Sequence, residues 1–201
     1  MLHTIPLGIV GSTAAAYLIE QSLLFDGSTS YLSRTPSVAG NRKTWTYSVW
    51  FKTTVAGTTQ HFFGAGDGTT SNATRLQYQS TGTIQYIHAD GGGVTDQLQT
   101  TALFLDPSAW YHMVVAVDTT QATDTNRVKL YINGSQVTSF QTTNWPALNM
   151  DTDVNNTNVH TIGTVTGSAN FFDGLMALPQ LIDGAALSAT NFGEEDDDGF
   201  W

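Results

Sequence analysis

Three consecutive antiparallel strands are predicted by residues 108–140, SAWYHMVVAVDTTQATDTNRVKLYINGSQVTSF. Residues 127–132 alternate charged or polar side chains with apolar ones, which is the pattern of a strand with one buried face. The dipeptide Asn133-Gly134 that follows is the pair best suited to a type I′ hairpin turn. Residues 135–140 should therefore fold back beside the preceding strand.

The first strand of this meander carries apolar side chains on both of its faces. Within residues 110–118, one set of alternate positions holds Tyr111, Met113, Val115 and Val117, and the other holds His112, Val114 and Ala116. Such a strand is usually central in a sheet that is covered on both sides. We interpret His112 as a hydrogen-bonded packing residue of this strand.

A second strand, with an aromatic core face, is predicted at residues 45–53. Its sequence, WTYSVWFKT, alternates Trp45, Tyr47, Val49 and Phe51 against Thr46, Ser48, Trp50 and Lys52. Further strands are predicted at residues 22–25, 30–33, 61–65, 75–79, 83–89, 98–104, 160–163 and 171–181, with a long irregular loop at residues 141–158. Turn signals about 8 to 12 residues apart fit a sandwich or barrel.

Composition narrows the class of protein. The 201 residues suit one large all-β domain, and only 12% of them are charged. The formal net charge is −10, with 7 Lys and Arg and no basic cluster, so the chain lacks the electrostatic footprint of a nucleic-acid binder. The absence of cysteine excludes disulfides and thiolate metal sites.

The two ends of the chain differ from the middle. Residues 5–19 are apolar but are interrupted by Gly8 and Gly11, lack a basic start, and are too short to span a membrane. We therefore expect an N-terminal arm over residues 1–21 that docks on another surface without membrane insertion. Residues 22–193 form the predicted domain, and residues 194–201 a solvated acidic tail.

Several segments resemble laminin-G-like domains of the concanavalin A-like superfamily. They are SLLFDGSTSYLSRTPS at residues 22–37, WTYSVWFKT at 45–53, WYHMVVAVDTT at 110–120, VKLYINGSQV at 128–137 and FFDGLMALPQLIDGAALSATNFGE at 171–194. The resemblance covers roughly residues 22–195. It implies an antiparallel two-sheet jelly-roll sandwich.

The motifs SYLSRTP, GNRKTWT, DPSAWYH and NFGEEDDDG resemble more closely the laminin-G-like proteins of tailed bacteriophages. In that group the fold is carried on virions, in tail fibres, head fibres or capsid decorations. The resemblance implies a virion structural protein, homo-oligomeric and held to capsid or tail proteins by its N-terminal arm. The alternative is a carbohydrate-binding module that recognises bacterial surface glycans.

No catalytic residue is predicted. β-Glucanases of the same superfamily use an ExDxxE strand whose two carboxyl groups lie about 5 Å apart. Residues 194–199, EEDDDG, begin this pattern, but Gly199 stands where the second catalytic Glu should be. The five histidines form no HxH or HxxxH pair that would indicate a zinc site. A non-enzymatic protein is the better interpretation.

A sugar site needs exposed aromatic rings beside amides, because a ring stacks on the apolar face of a sugar while polar groups bind its hydroxyls. The best candidates are Tyr78, Tyr86, His88, Asn144 and Trp145. Core packing is the competing interpretation of each aromatic residue.

The laminin-G-like resemblance also implies a Ca²⁺ site at a rim of the sandwich. Candidate ligands are Asp67, Asp118, Asp151 and Asp153, whose oxygens suit a hard cation. Their spacing defines no site, and turn formation is the preferred role of each aspartate.

Overall fold

The computed structural model describes residues 21–201. The predicted arm lies outside the described residues, except for residue 21, so its docking role stays a prediction. Within residues 21–201, no helix is long and apolar enough to cross a membrane.

The described residues form two antiparallel sheets that pack face to face. The six-stranded sheet has the spatial order β1 (Leu23–Asp26), β13 (Asp173–Asp183), β3 (Thr44–Thr53), β8 (Tyr111–Asp118), β9 (Val128–Ile132), β10 (Ser135–Gln136). The seven-stranded sheet has the order β11 (Phe140–Asn144), β7 (Gly93–Thr100), β6 (Ile84–Asp90), β5 (Ala73–Tyr78), β4 (Gln60–Gly66), β12 (Val159–Ile162), β2 (Leu32–Arg34). Short 3-10 helices occupy Asp124–Asn126 and Ala189–Asn191. This architecture confirms the predicted all-β jelly-roll sandwich.

The core between the sheets is rich in aromatic side chains. β3 contributes Trp45, Tyr47 and Phe51, which are almost completely buried. Tyr47 stacks on Phe63 of the opposite sheet, with the ring centroids 4.5 Å apart. Burial of each such side chain contributes about 1.5–3 kcal/mol, so core packing stabilises a chain that has no disulfide.

β8 lies between β3 and β9, inside the six-stranded sheet, as its two apolar faces predicted. Its outer face is buried as well, since His112 is only 1% exposed. Later parts of the chain cover this side of the sheet. The backbone N–H of Leu187, for example, donates to Thr46 Oγ1 at 2.8 Å.

The hairpin after β9 contains the predicted type I′ turn, with φ of 47° at Asn133 and 78° at Gly134. β10 has only two residues, and the chain then crosses to the other sheet, where β11 pairs with β7. The predictions of one strand over residues 135–140 and of an irregular loop from residue 141 are therefore wrong here. Val137 and Phe140 pack against the core at the crossing, so tertiary packing decides where the chain changes sheets.

Candidate functional site

An open pocket of about 410 Å³ lies on the outer face of the six-stranded sheet. It is lined by Trp50, Trp110, Asn133, Ser135, Glu195, Gly199, Phe200 and Trp201, which we call the aromatic pocket. The lining comes from β3, the residue before β8, the β9–β10 turn and the segment after the last strand. Trp110 is 37% exposed and Phe200 is 72% exposed, so two of the four rings are accessible to a ligand.

Trp50 enters the pocket because it occupies an outward position of β3. Val49 and Phe51 on either side are buried in the core, and strand alternation turns the intervening indole to the opposite face. Trp50 pairs with His112 of β8 in the sheet register. Their rings stack with centroids 4.7 Å apart and an interplanar angle of 18°.

His112 joins the sheet to Trp201 through both of its ring nitrogens. The indole Nε1–H of Trp201 donates to His112 Nδ1 at 2.8 Å, and His112 Nε2 lies 2.9 Å from Ser48 Oγ. Because an indole can only donate, Nδ1 accepts and the neutral ring donates from Nε2 to Ser48. Burial lowers the pKa of His112 to about 4, which keeps the ring neutral near pH 7. The predicted role as a hydrogen-bonded packing residue is confirmed.

Two glycines make room for the indole of Trp201. A Cβ atom added to Gly134 would overlap the six-membered part of this ring, and one added to Gly193 would lie 2.9 Å from its Cζ2. Gly134 is required for two reasons: a side chain would overlap the indole, and its positive φ closes the hairpin turn. The same dipeptide thus shapes the hairpin and seats the indole.

Residues 196–200 form a tight turn around one acidic side chain. Asp196 Oδ1 accepts from the backbone N–H groups of Asp198 at 3.0 Å and Phe200 at 2.8 Å, and Asp196 N–H donates to Phe200 O at 2.7 Å. The acidic side chains of residues 194–198 are exposed, as the acidic composition indicated. The segment nevertheless folds back onto the sheet at Trp201, which acidic composition alone does not predict.

The lining combines stacking surfaces with hydrogen-bonding groups. The rings can pack on the apolar face of a sugar, while Asn133, Ser135 and Glu195 can bind hydroxyl groups. Asn133 Oδ1 already accepts from the backbone N–H of His112 at 2.7 Å, which orients its amide nitrogen as a donor. The pocket therefore combines the aromatic rings and hydrogen-bonding groups that a sugar site needs. None of these residues is among the sugar-binding residues predicted from the sequence.

A family model described as the concanavalin A-like lectin/glucanases superfamily, of the laminin G type, matches residues 26–191. The chain belongs to this superfamily. The matched residues include every strand except the start of β1, so the family assignment and the two-sheet architecture agree. No curated protein matches the sequence.

Three solved structures have folds similar to that of this chain. The CBM40 of the Ruminococcus gnavus IT-sialidase, bound to alpha2,3 sialyllactose, is 19% identical; the match covers 82% of this chain and 97% of that chain, with a TM-score of 0.53. The SAP-like pentraxin from Limulus polyphemus is 15% identical over 79% and 73% of the two chains, with a TM-score of 0.52. Domains LG4-5 of the mouse laminin alpha1 chain are 13% identical over 88% and 45%, with a TM-score of 0.56.

Two of the predicted sugar-binding residues are core residues. Tyr78 is 0% exposed and donates from its hydroxyl to Phe104 O at 3.0 Å, and Tyr86 is 3% exposed. Burial raises the pKa of both phenols. Their prediction as stacking residues is wrong, because strand alternation in β5 and β6 turns both side chains toward the opposite sheet.

The other three predicted residues lie apart from the aromatic pocket. His88 is buried at one rim of the sandwich, where its Nδ1 lies 2.9 Å from Thr74 Oγ1 and 3.5 Å from Asp153 Oδ2. Trp145 is half-buried and packs edge-on against Phe140, while Asn144 is exposed at the end of β11. The five candidates form no common accessible surface, and a role for the exposed Asn144 stays a prediction.

The predicted calcium ligands are likewise dispersed. Asp67 accepts hydrogen bonds from Thr69 and Asn72. Asp118 accepts hydrogen bonds from Thr120 and Gln121. Each aspartate thus closes its own turn, and these bonds lower the pKa of its carboxyl group. Asp151 is exposed, whereas Asp153 lies beside His88, where burial raises its pKa. Between residues 21 and 201, no group of three or more His, Asp or Glu side chains could hold a metal ion.

Proposed function

We propose that this chain is a non-catalytic carbohydrate-binding domain and that the aromatic pocket is its binding site. The observation that carries the proposal is the grouping of four aromatic rings with Asn133, Ser135 and Glu195 on an open sheet face. The similarity to the Ruminococcus gnavus CBM40, which is bound to sialyllactose, supports a glycan ligand. A single aromatic stacking contact contributes about 0.5–1.5 kcal/mol, so several sites acting together are needed for firm attachment.

The single carboxylate side chain in the pocket lining supports binding rather than hydrolysis. Glycoside hydrolysis needs two carboxyl groups that flank the scissile bond, about 5 to 10 Å apart. Among the described residues that line the pocket, Glu195 is the one carboxylate. Asp196 is committed to its turn through two backbone hydrogen bonds. The EEDDDG run therefore lies on an exposed turn and not on the rigid strand that a glucanase requires.

Multivalent glycan arrays of bacterial surface polysaccharides, with and without Ca²⁺, test the proposal. The wild-type protein should bind at least one glycan class, and Trp110→Ala should weaken this binding about three- to tenfold by removing an accessible ring. Leu148→Ala is the matched control, since Leu148 is exposed but lies outside the pocket. Absence of binding by the wild-type protein in multivalent form would contradict the proposal.

We propose a bacteriophage virion as the setting of this binding, with the domain as a structural component of capsid or tail. The segments that resemble laminin-G-like phage proteins, such as NFGEEDDDG, support this setting. On a virion the domain would bring host surface glycans to the particle. Deletion of residues 1–20 should abolish incorporation into particles while the domain still folds, and unchanged occupancy would remove the proposed attachment by the arm.

A further inference from the structure

We infer that the aromatic pocket selects amino sugars whose amino group is a free ammonium, in preference to acetylated and anionic sugars. This inference rests on the proposed function and specifies its ligand class. It follows from the juxtaposition of aromatic faces with an unneutralised carboxylate in one pocket.

The charge of the lining is negative. Glu195 is the one acidic side chain of the lining, and no Lys or Arg belongs to the described lining. Glu194, Asp197 and Asp198 are exposed next to it and add to the negative potential. Lys52 lies two residues from Trp50 on the same face of β3 but is not part of the lining. The pocket thus presents negative potential to any ligand that approaches it.

The rings reinforce this preference for a cation. The face of an aromatic ring attracts an ammonium group, most strongly for Trp, and Trp110 supplies an accessible indole beside the accessible ring of Phe200. A 2-amino sugar can stack its apolar face on one ring while its ammonium group meets Glu195 and a neighbouring indole. An acetylated sugar keeps the stacking but loses the ion pair.

Anionic sugars are disfavoured by the same groups. A sialic acid or uronic acid would place its carboxylate close to Glu195, and like charges at short distance repel. The chain as a whole carries a formal charge of −10, which strengthens this effect at low salt. The ligand class inferred here therefore differs from the sialyllactose bound by the Ruminococcus gnavus module.

Titrations with glucosamine tetramer, N-acetylglucosamine tetramer and sialyllactose, followed by tryptophan fluorescence and NMR, test this inference. The glucosamine tetramer should bind about five- to tenfold more tightly than the acetylated tetramer at about pH 6, and the difference should disappear at about pH 9, where the amino group is neutral. Sialyllactose should bind most weakly. A lysine tetrapeptide tests for general cation binding.

Glu195→Gln should remove the preference for the glucosamine tetramer over the acetylated tetramer, because glutamine keeps a hydrogen-bonding group but lacks the charge. Glu194→Gln, which removes a neighbouring charge outside the lining, should preserve the preference. Equal or tighter binding of the acetylated tetramer, or of the lysine peptide, overturns the inference and leaves the glycan-binding proposal standing. Failure of every sugar to bind overturns both.

Discussion

The two outer faces of the sandwich differ in how they use polar and aromatic side chains. The outer face of the six-stranded sheet carries the aromatic pocket, with exposed rings at Trp110 and Phe200. The outer face of β4, β5 and β6 carries a polar cluster, formed by His61, Arg75, Gln77 and Gln85, whose members are 1–8% exposed. The first face has an open aromatic pocket beside buried strand residues, and the second has a buried polar cluster.

Arg75, Gln77 and Gln85 of the polar cluster are held by hydrogen bonds, whereas His61 Nδ1 has no hydrogen-bond partner among the described residues. Arg75 donates from Nε to Gln77 Oε1 at 3.0 Å and from a terminal nitrogen to Thr70 O at 2.7 Å, and Gln77 donates to Gln85 at 2.6 Å. A ligand would have to break these bonds before it could form its own. A cluster of hydrogen-bonding side chains therefore does not by itself indicate a sugar-binding site in this molecule. Such a site also needs accessible aromatic rings and polar groups that are free to bind the ligand.

The largest effect is expected from breaking the polar cluster. Arg75→Ala removes two charge-assisted hydrogen bonds and leaves Gln77 and Thr70 without a donor, which should cost about 2–4 kcal/mol of unfolding free energy. Urea unfolding measures this loss, and Arg34→Ala on the exposed edge strand β2 is the control, expected within about 0.5 kcal/mol of wild type. If the two faces are independent, the folded variant keeps its glycan affinity. A variant as stable as wild type would show that the cluster is dispensable.

Each face also holds one buried histidine whose pKa is lowered to about 4. Burial is the main cause for both His61 and His112, and the charge of Arg75 adds to it at His61. An unfolded histidine has a pKa of about 6.5, so below this pH the unfolded chain takes up protons that the folded chain does not. Stability should be complete above about pH 6.5 and fall toward about pH 4, by roughly 2 kcal/mol per histidine between about pH 7 and pH 5.

Substitution of each histidine measures how much that residue contributes to the fall in unfolding free energy between about pH 7 and pH 5. His61→Asn and His112→Asn should each reduce the pH 7 to pH 5 difference in unfolding free energy by roughly 2 kcal/mol. Burial is the main cause of the raised pKa values of Asp96 and Asp153, so these two residues make the folded state more stable as the pH falls. Their effect is the same in wild type and in both variants and cancels in the comparison. Protonation of His112 removes the acceptor of Trp201, so indole fluorescence should respond to acid in wild type and His61→Asn. An equal response in His112→Asn would contradict the assigned hydrogen bond.

Much of the fold could be predicted from the sequence because its signals are local. The alternation in residues 45–53 and the Asn133-Gly134 turn each specify their structure without help from distant residues. The strand predicted at residues 98–104 shows the limit, since β7 runs over Gly93–Thr100 and Phe104 is buried after it. Apolar content alone could not tell a strand from a loop that is anchored in the core.

The pocket could be predicted only in part. Trp50 occupies a position of the polar face in the 45–53 alternation, which was a usable signal for an outward ring. The stacking of Trp50 on His112 depends on the pairing register of β3 and β8, and the position of Trp201 depends on a turn closed by Asp196. The periodicity of the local sequence predicts neither this stacking contact nor the position of Trp201. Tyr78 and Tyr86 were misassigned because an isolated aromatic residue in a strand does not reveal which face it occupies.

The smallest effect on stability is expected from removing the ring that completes the open face. Trp201→Ala loses one hydrogen bond and the packing against Gly134 and Gly193, at a cost of about 1–2 kcal/mol of unfolding free energy. It should also abolish binding at the pocket and move the pKa of His112 upward, measured by NMR titration, because the ring is then hydrated. Phe200→Ala separates the role of this segment in binding from its role in packing. Because the ring of Phe200 is 72% exposed, its removal should weaken binding without changing the unfolding free energy or the pKa of His112. If Trp201→Ala keeps full affinity, the indole of Trp201 serves packing only and makes no contact with the ligand.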